Sequence, residues 1–161
     1  MKKPTYIYKI VLFVLSALVS FQVIFAQDKE QEIKELVLSK DFAFKVDNVV
    51  PMSGNSRIIT SYYDLQLIKD SIAVYLPYFG RAYSATFGNT EGGVRLNGSN
   101  FDYKIKERRK GGWEITIRPQ DPEIREMNLT ISREGYASLN VTSNNRQPIS
   151  YNGRIIKRNT K

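Results

Sequence analysis

Strict alternation of apolar and polar residues over the second half of the chain constrains its fold more than any other feature. Four runs show it, with apolar members Phe101, Tyr103 and Ile105, then Trp113, Ile115 and Ile117, then Met127, Leu129 and Ile131, then Ala137, Leu139 and Val141. Successive side chains of a β-strand point to opposite faces, so each run predicts a strand that is buried on one face. Glycine-containing connections at Gly111–Gly112 and Glu134–Gly135 predict two hairpins, the second with a two-residue turn.

The rest of the chain beyond residue 41 predicts further strands of the same kind. They are expected at Phe42–Val46, Ile58–Leu67, Ser71–Leu76, Arg81–Phe87 and Ile149–Ile155. Strands that recur roughly every dozen residues are typical of an antiparallel meander, and strands with one apolar face need a cover. We therefore expect a mainly β protein, an antiparallel sandwich or barrel of about eight to nine strands, with one short N-terminal helix.

Residues 27–41 predict that helix. Asp28 can cap its first turn, and Ile33, Leu36 and Val37 recur on one face at helical spacing. A helix with one apolar face must bury it against another element. We expect this helix to cover the sheet as an amphipathic lid.

The first 26 residues predict a secretory signal peptide. Three lysines near the start precede the apolar run Ile10–Phe25, and Ala26 followed by Gln27 supplies a cleavage site. The alternative is an uncleaved membrane anchor, because about 20 apolar residues span a bilayer. With cleavage after Ala26, we expect an exported protein, periplasmic or extracellular, with one β domain over residues 42–157 and a polar tail over 158–161.

The absence of two residue types excludes several classes of chemistry. The chain has no cysteine, so neither disulfides nor a lipid-modified cysteine at the cleavage site is possible, and we expect no lipid anchor and no membrane span in the mature chain. It also has no histidine, which excludes the usual zinc sites and Ser-His or Cys-His pairs. We expect no cofactor, no metal and no catalytic residue. The net charge of +8 is scattered along the chain, which argues against nucleic-acid binding.

The first candidate site is an aromatic connection around a Pro and a Gly. It contains Tyr75, Tyr78, Phe79 and Tyr83 together with Arg81. Aromatic side chains in a loop offer a large contact area, and a guanidinium beside them can hold a carboxylate, a phosphate or an aromatic face. The alternative is that these rings plug one end of the core, since buried aromatics are common where sheets close.

The second candidate site is the segment Asn144–Gly153. Its neutral donors and the guanidinium of Arg146, with Gln147 and Tyr151, suit the recognition of a sugar or a peptide. Asn side chains also stabilise turns by bonding their own backbone, and Gly153 is a candidate for a β-bulge. Either role is compatible with the sequence.

Three segments carry a family resemblance. They are Leu76–Tyr83, Gly112–Ile115 and Asn145–Gly153, of which the string Leu-Pro-Tyr-Phe-Gly-Arg-Ala is the most specific. In these segments the chain resembles the family called Domain of Unknown Function 4251, small exported proteins of Bacteroides-type bacteria, over about Phe42 to Ile156. The resemblance implies a location in the bacterial envelope and a single small β domain, and it implies no activity.

Three functions remain open. The first is a noncatalytic module of the bacterial envelope that binds a small molecule, a glycan or an envelope protein through the two candidate sites. The alternative is a carboxylate-dependent hydrolase of envelope glycans, since glycoside hydrolysis needs two carboxyl groups at a suitable separation. The carboxylates available for it include Asp47, Asp64, Asp70, Asp102, Glu107 and Glu114. The third is that of a structural partner in a larger envelope assembly, marked by an exposed apolar patch.

Overall fold

A computed structural model describes residues 11–13, 28–81 and 93–158. Residues 11–13 are helical, and the remainder of the predicted signal peptide at 1–26 lies outside the described residues. The same is true of the predicted strand Arg81–Phe87 beyond Arg81, and of the last three residues of the polar tail. Within the described ranges, no helix combines the length and apolar character that a bilayer crossing requires.

Between residues 28 and 158, the described ranges contain ten strands and the helix α1 at residues 28–39. The strands are β1 Asp41–Pro51, β2 Arg57–Ile58, β3 Asp64–Ile68, β4 Ser71–Pro77, β5 Gly93–Gly98, β6 Phe101–Glu107, β7 Trp113–Pro119, β8 Ile124–Ile131, β9 Tyr136–Ser143 and β10 Ile149–Ile156. They form one antiparallel sheet of order β5-β4-β3-β1-β10-β9-β8-β7-β6, with β2 paired to β1. The sheet is nearly closed and barrel-like, which confirms the predicted mainly β antiparallel class and selects the barrel.

The two edge strands nearly meet because they are two halves of one bent strand. Every pairing in the order is antiparallel, so β5 and β6, at its opposite ends, run in the same direction. Only Ser99 and Asn100 separate them. The Gln120 N–H donates to the Asn100 carbonyl at 3.0 Å, and the Asn100 amide donates to the Gln120 side chain at 2.7 Å. These bonds hold the bend where the chain passes from one edge of the sheet to the other.

The long strand β1 explains the main error of the sequence analysis. The predicted strand Ile58–Leu67 is wrong as a single element, because β2 and β3 are separate and pair one after the other with the same edge of β1. The register of β1 against β10 shifts at Asp47, an additional residue opposite Gly153. A Cβ on Gly153 would collide with the Lys45 carbonyl, so the predicted bulge at this glycine is confirmed.

The predicted one-sided burial is confirmed in β7, β8 and β9, but in β6, which lies at the edge of the sheet, Phe101 and Tyr103 are only half-buried and Ile105 is 39% exposed. Ile115, Ile117, Leu129 and Leu139 are fully buried, and the register places Ile105 opposite Ile115 as the hairpin prediction requires. The connection between β8 and β9 is longer than the predicted two-residue turn, since the Ser132 N–H donates to the Tyr136 carbonyl around three intervening residues.

The helix α1 closes one end of the barrel, called here the helix end. Ile33 and Val37 are fully buried, as the predicted apolar face requires. The glycine of the β8–β9 turn makes room for Ile33, because a Cβ on Gly135 would lie 2.7 Å from its Cδ1. Beyond the helix, the Lys40 ammonium lies 4.7 Å from the centre of the Tyr103 ring. This end of the core is therefore covered mainly by apolar packing.

Candidate functional site

The two predicted candidate segments meet at the other end of the barrel, called here the aromatic end. The Tyr78 hydroxyl lies 2.9 Å from the Arg81 carbonyl and 3.1 Å from the Gln147 carbonyl, so its proton can be shared between them. The Gln147 N–H donates to the Arg81 carbonyl at 3.0 Å. Gly80 allows the Tyr78 ring to fold back against the turn, because a Cβ there would lie 2.6 Å from the ring.

Arg146 joins three further parts of the chain at this end. Its guanidinium donates to the Gly93 carbonyl at 2.9 Å and to the Glu123 carboxylate at 3.2 Å. It also lies 5.3 Å from the centre of the Tyr78 ring. The side chain is only 14% exposed, so these charge-assisted bonds are largely shielded from water. Arg146 thus fastens the start of β5 and the β7–β8 connection to the aromatic segment.

Tyr151 supports the aromatic end from inside the core. It is fully buried, and its hydroxyl donates to the Pro77 carbonyl at 2.8 Å. Burial raises the pKa of Tyr151, and the neighbouring Tyr78 raises it further against the opposing charge of Arg146. The predicted site residue Tyr151 is therefore placed beneath the aromatic segment, where it orders the end of β4.

Five side chains of this end form a surface that we call the aromatic–arginine surface: Arg57, Tyr63, Tyr75, Phe79 and Arg95. Tyr75 is 44% exposed and Phe79 is 38% exposed. The Arg57 guanidinium lies 4.6 Å from the Phe79 ring centre, and that of Arg95 lies 4.9 Å from the Tyr75 ring centre. The rings of Tyr63 and Tyr75 lie 5.0 Å apart. Two of the rings, Phe79 and Tyr75, thus each carry an arginine over one face.

Two depressions adjoin this surface and share Tyr75 and Arg95. The aromatic cleft, of about 360 Å³, is lined by Tyr63, Tyr75, Leu76, Pro77, Tyr78, Phe79, Gly93 and Arg95. The polar depression, of about 670 Å³, is open to solvent and is lined by Asp64, Gln66, Ala73, Val74, Tyr75, Arg95, Leu96, Asn97 and Asp121. Both volumes lie within the range of about 300 to 1,000 Å³ that is usual for ligand sites.

The strand register explains the shape of the polar depression. Ala73 on β4 lies between Gln66 on β3 and Asn97 on β5. One pleat further along, Tyr75 lies between Asp64 and Arg95. The side chains at these alternate positions share the outer face of the sheet. The small side chain of Ala73, flanked by longer ones, therefore leaves a hollow.

Asp64 is a buried carboxylate at the margin of the hollow. It is only 7% exposed, and the Gln66 side-chain amide donates to its Oδ2 at 2.8 Å. Burial raises the pKa of Tyr62, and the charge of Asp64 and the hydrogen bond to it raise that pKa further. A carboxylate held in this way is ordered before any ligand arrives.

A third depression lies on another part of the outer face, beside the β1 bulge. It has a volume of about 450 Å³ and is lined by Asp47, Asn48, Arg108, Thr130, Ser132, Tyr136, Ala137, Ser138, Asn152 and Gly153. Tyr136 is 67% exposed here. Its surroundings are hydroxyl and amide side chains with the charged Asp47 and Arg108, and among the described contacts no arginine lies over a ring here. This region provides matched control positions for the aromatic end.

The structure distributes the predicted site residues over three environments. Tyr75, Phe79 and Arg81 are exposed. Tyr78, Arg146 and Gln147 are half-buried, and Tyr151 is buried in the core. Tyr83 lies outside the described residues. Their proposed part in binding a ligand stays a prediction. In the described ranges, no group of three or more acidic side chains is arranged to hold a metal ion.

The sequence analysis did not connect Arg57, Tyr63, Asp64 and Arg95 with the aromatic segment. The pair Tyr62-Tyr63 in an otherwise polar stretch was a signal that could have been used. Arg57 offered none, because its place over Phe79 depends on how β2 pairs with β1. These residues join the site only through the tertiary fold.

Comparisons with known proteins agree with the resemblance found in the sequence. A crystal structure of a DUF4251 family protein from Bacteroides eggerthii matches with a TM-score of 0.61 and 17% identity, covering 80% of this chain and 87% of that one. At this identity the match shows the fold alone. No curated protein matches. The family model described as a domain of unknown function, DUF4251, matches residues 25–155. This chain therefore belongs to the DUF4251 family.

Proposed function

We propose that this chain is an exported, noncatalytic binding module of the bacterial envelope, which holds its ligand at the aromatic–arginine surface. The observation that supports the proposal is two exposed rings, Tyr75 and Phe79, each with an arginine guanidinium over its face, which line one cleft. Exposed rings of this kind gain contact area when a ligand covers them. The adjoining cleft and depression provide the concave shape that ligand sites usually have.

The rigid placement of these exposed side chains favours a role in binding. Tyr75 stands on β4, which is paired on both sides, and Arg95 stands on the neighbouring β5. Phe79 follows a turn that is fastened by Tyr78 and Arg146. A surface whose side chains are already ordered loses less conformational entropy when a ligand binds. The strands and the polar contacts beneath them would thus serve as a scaffold for recognition.

Two mutant proteins of similar chemistry test this role. Tyr75→Ala removes a ring from the proposed surface, while Tyr136→Ala removes the same kind of exposed ring from the third depression. The probes are printed arrays of purified neutral oligosaccharides and of random peptides. We expect Tyr75→Ala to lose about tenfold or more in binding to the probe class that the wild type retains, as for a central aromatic contact. Tyr136→Ala should bind as the wild type does.

Equal losses in both variants, or none in either, would contradict the proposed surface. Thermal unfolding of each variant serves as the control for folding. A collapse of the transition in Tyr75→Ala would assign that ring to the core instead. Binding by the wild type to duplex DNA, offered in parallel, would contradict the expected lack of nucleic-acid partners.

The export part of the proposal rests on the N-terminal sequence. A basic start, the apolar run Ile10–Phe25 and the small residue Ala26 have the order of a secretory signal. The absence of cysteine excludes a lipid anchor at the cleavage site. N-terminal sequencing of the protein from fractionated cells should give Gln27 as the first residue in the periplasmic or culture fraction. Recovery of the unprocessed chain from the cytosol would overturn this part.

One observation favours a second function, that of a carboxylate-dependent hydrolase acting on envelope glycans. Asp64 and Asp121 line the same polar depression. A pair of carboxyl groups about 5 to 10 Å apart is the usual requirement for glycoside hydrolysis. Asp121 also accepts the N–H groups of Glu123 and Ile124 at 2.8 Å, an arrangement that stabilises a turn. Release of reducing sugar from envelope glycans, abolished by Asp121→Asn, would establish this alternative in place of the binding role.

A further inference from the structure

We infer that the polar depression binds a neutral sugar ring, so that the ligand of this module is a glycan. This inference rests on the proposed binding function and specifies its ligand. It starts from the hollow over Ala73, which Tyr75 bounds on one side along β4 and which Gln66 and Asn97 bound across the strands. A sugar ring has apolar C–H faces and a polar rim, and both have counterparts here.

The Tyr75 ring provides the apolar counterpart. It is 44% exposed, and contacts with Tyr63 at 5.0 Å and with the Arg95 guanidinium at 4.9 Å hold it in place. An aromatic face that is fixed on a paired strand can cover the C–H face of a ring without losing much side-chain entropy. Ala73, being small, leaves the space beside it.

The polar counterpart is a set of planar side chains around the hollow. Asp64 and Asp121 supply carboxylate oxygens, and the amides of Gln66 and Asn97 supply both donors and acceptors. Hydroxyl groups both donate and accept, so a ring with several hydroxyls can use all of these partners. The Asp64 residue is only 7% exposed, and its carboxylate already accepts a hydrogen bond from Gln66. Water therefore competes little for the hydrogen bonds that this carboxylate makes with a ligand.

The charges around the hollow disfavour an anionic ligand. An anion would meet the carboxylates of Asp64 and Asp121 with only the guanidinium of Arg95 to offset them. Hydroxyl groups avoid this electrostatic cost. A neutral sugar ring is therefore better matched than a phosphate or a carboxylate.

The strand pairing favours a glycan over a peptide. Peptides that bind sheets commonly do so by adding a strand, which requires unpaired backbone groups. The backbone of β4 is paired with β3 on one side and with β5 on the other. The face above Ala73 consequently offers a ligand only side chains. A peptide therefore could not bind here by adding a strand to β4.

A substitution that fills the hollow tests the inference. Ala73→Tyr places a ring in the depression at an outward position of a strand, where an aromatic residue is compatible with folding. Ser138→Tyr makes the matching change on β9, in the third depression. The probes are the array of neutral oligosaccharides and the array of random peptides. We expect Ala73→Tyr to lose about tenfold or more in oligosaccharide binding, a shift of about 1.4 kcal/mol, and Ser138→Tyr to bind normally.

The outcomes separate this inference from the proposed function. Peptide binding without oligosaccharide binding, lost in Tyr75→Ala, would overturn the sugar assignment and leave the binding surface in place. Oligosaccharide binding that persists in both Ala73→Tyr and Tyr75→Ala would overturn both. A wild-type protein that retains no oligosaccharide would overturn the sugar assignment. If Ala73→Tyr fails to fold, Asn97→Ala at an exposed edge position provides the second variant, and unchanged oligosaccharide binding by it would count against the inference.

Discussion

The two ends of the barrel are closed in different ways. At the helix end, Ile33 and Val37 are fully buried, and the closure consists mainly of apolar packing. At the aromatic end, Arg146 donates hydrogen bonds to Gly93 and Glu123 and lies over the Tyr78 ring, while Tyr75 and Phe79 remain exposed. Apolar packing removes its own side chains from solvent. A polar clamp can instead close a core and leave large rings at the surface.

The difference teaches which end is built for stability and which end suits the proposed recognition. The packing of Ile33 and Val37 stabilises the folded state through the apolar surface that it removes from water. The hydrogen bonds of Arg146 contribute less to the free energy of unfolding than this packing does, because they replace hydrogen bonds to water. They do, however, fix the orientation of the groups that they join. A surface for ligands needs fixed directions and exposed groups. The polar clamp suits this need better than the helix end does.

The largest expected effect comes from breaking the apolar closure. Ile33→Ala should lower the free energy of unfolding by about 3 kcal/mol, because it removes buried methyl groups and leaves a cavity against Gly135. Urea unfolding measures this loss of free energy. Binding of oligosaccharides or peptides by Ile33→Ala under native conditions should stay unchanged. A loss below about 1 kcal/mol would mean that α1 is not part of the cooperative unit.

Breaking the polar clamp should have a smaller effect on stability and a larger effect on binding. Arg146→Met should cost about 2 kcal/mol, since it leaves the Glu123 carboxylate and the Gly93 carbonyl without their partner. Arg154→Met is the matched control, because Arg154 pairs with Asp47 at 3.0 Å on the exposed outer face. That pair should contribute less than about 1 kcal/mol.

The array used for the aromatic–arginine surface provides the second measurement on these two variants. Arg146→Met should weaken binding of the retained probe, because Tyr78 and the turn that carries Phe79 lose their support. Arg154→Met should not weaken it. Equal unfolding free energies for the two variants would remove the distinction between the clamp and an ordinary surface ion pair.

Two tyrosines whose hydroxyl groups are buried compare the ends directly. Tyr151 donates to the Pro77 carbonyl at the aromatic end, whereas the buried hydroxyl of Tyr103 has no hydrogen-bond partner among the described residues. Tyr151→Phe should cost about 1 to 2 kcal/mol, because the buried carbonyl loses its donor. Tyr103→Phe should be neutral or stabilising at neutral pH. The same cost for both substitutions in urea unfolding would show that the hydroxyl of Tyr103 is bonded after all.

The smallest expected effect is a change in pH dependence. Burial raises the pKa of Tyr103 from 10.0 to about 12. The unfolded chain therefore loses this proton first, so the associated stability is present below about pH 10 and is lost as the pH rises to about 12. Tyr103→Phe should make the urea midpoint fall less steeply across this window. Parallel slopes for the variant and the wild type would contradict the burial of this phenol.

The local parts of the fold could be predicted, because their signals lie in neighbouring residues. Alternation around Ile115 and Leu129 is a property of short runs, and it holds in the hairpins β6–β7 and β8–β9. The buried positions Ile33 and Val37 follow likewise from helical spacing. Long-range pairing has no such signal. Nothing in the run Ile58–Leu67 indicates that β1 would pair with its two ends separately.

The candidate site could be predicted only in its chemistry. The aromatic segment and the Arg146 loop stood out by composition, but their meeting through Tyr78 and Gln147 joins residues far apart in sequence. Tyr151 illustrates the limit, since alternation with Ile149 and Ile155 places it on the buried face, but only the fold brings its hydroxyl to the Pro77 carbonyl. Arg57 illustrates it further, because only the sheet order brings it over Phe79.

The most direct test of the central claim is an NMR titration of the protein with the array probe that it binds most tightly. If the aromatic end is the recognition surface, backbone amide shifts should change over residues 73–79 and 93–97 and stay constant over 130–138. Shift changes confined to residues 130–138 or to α1, with none over 73–79, would contradict the account.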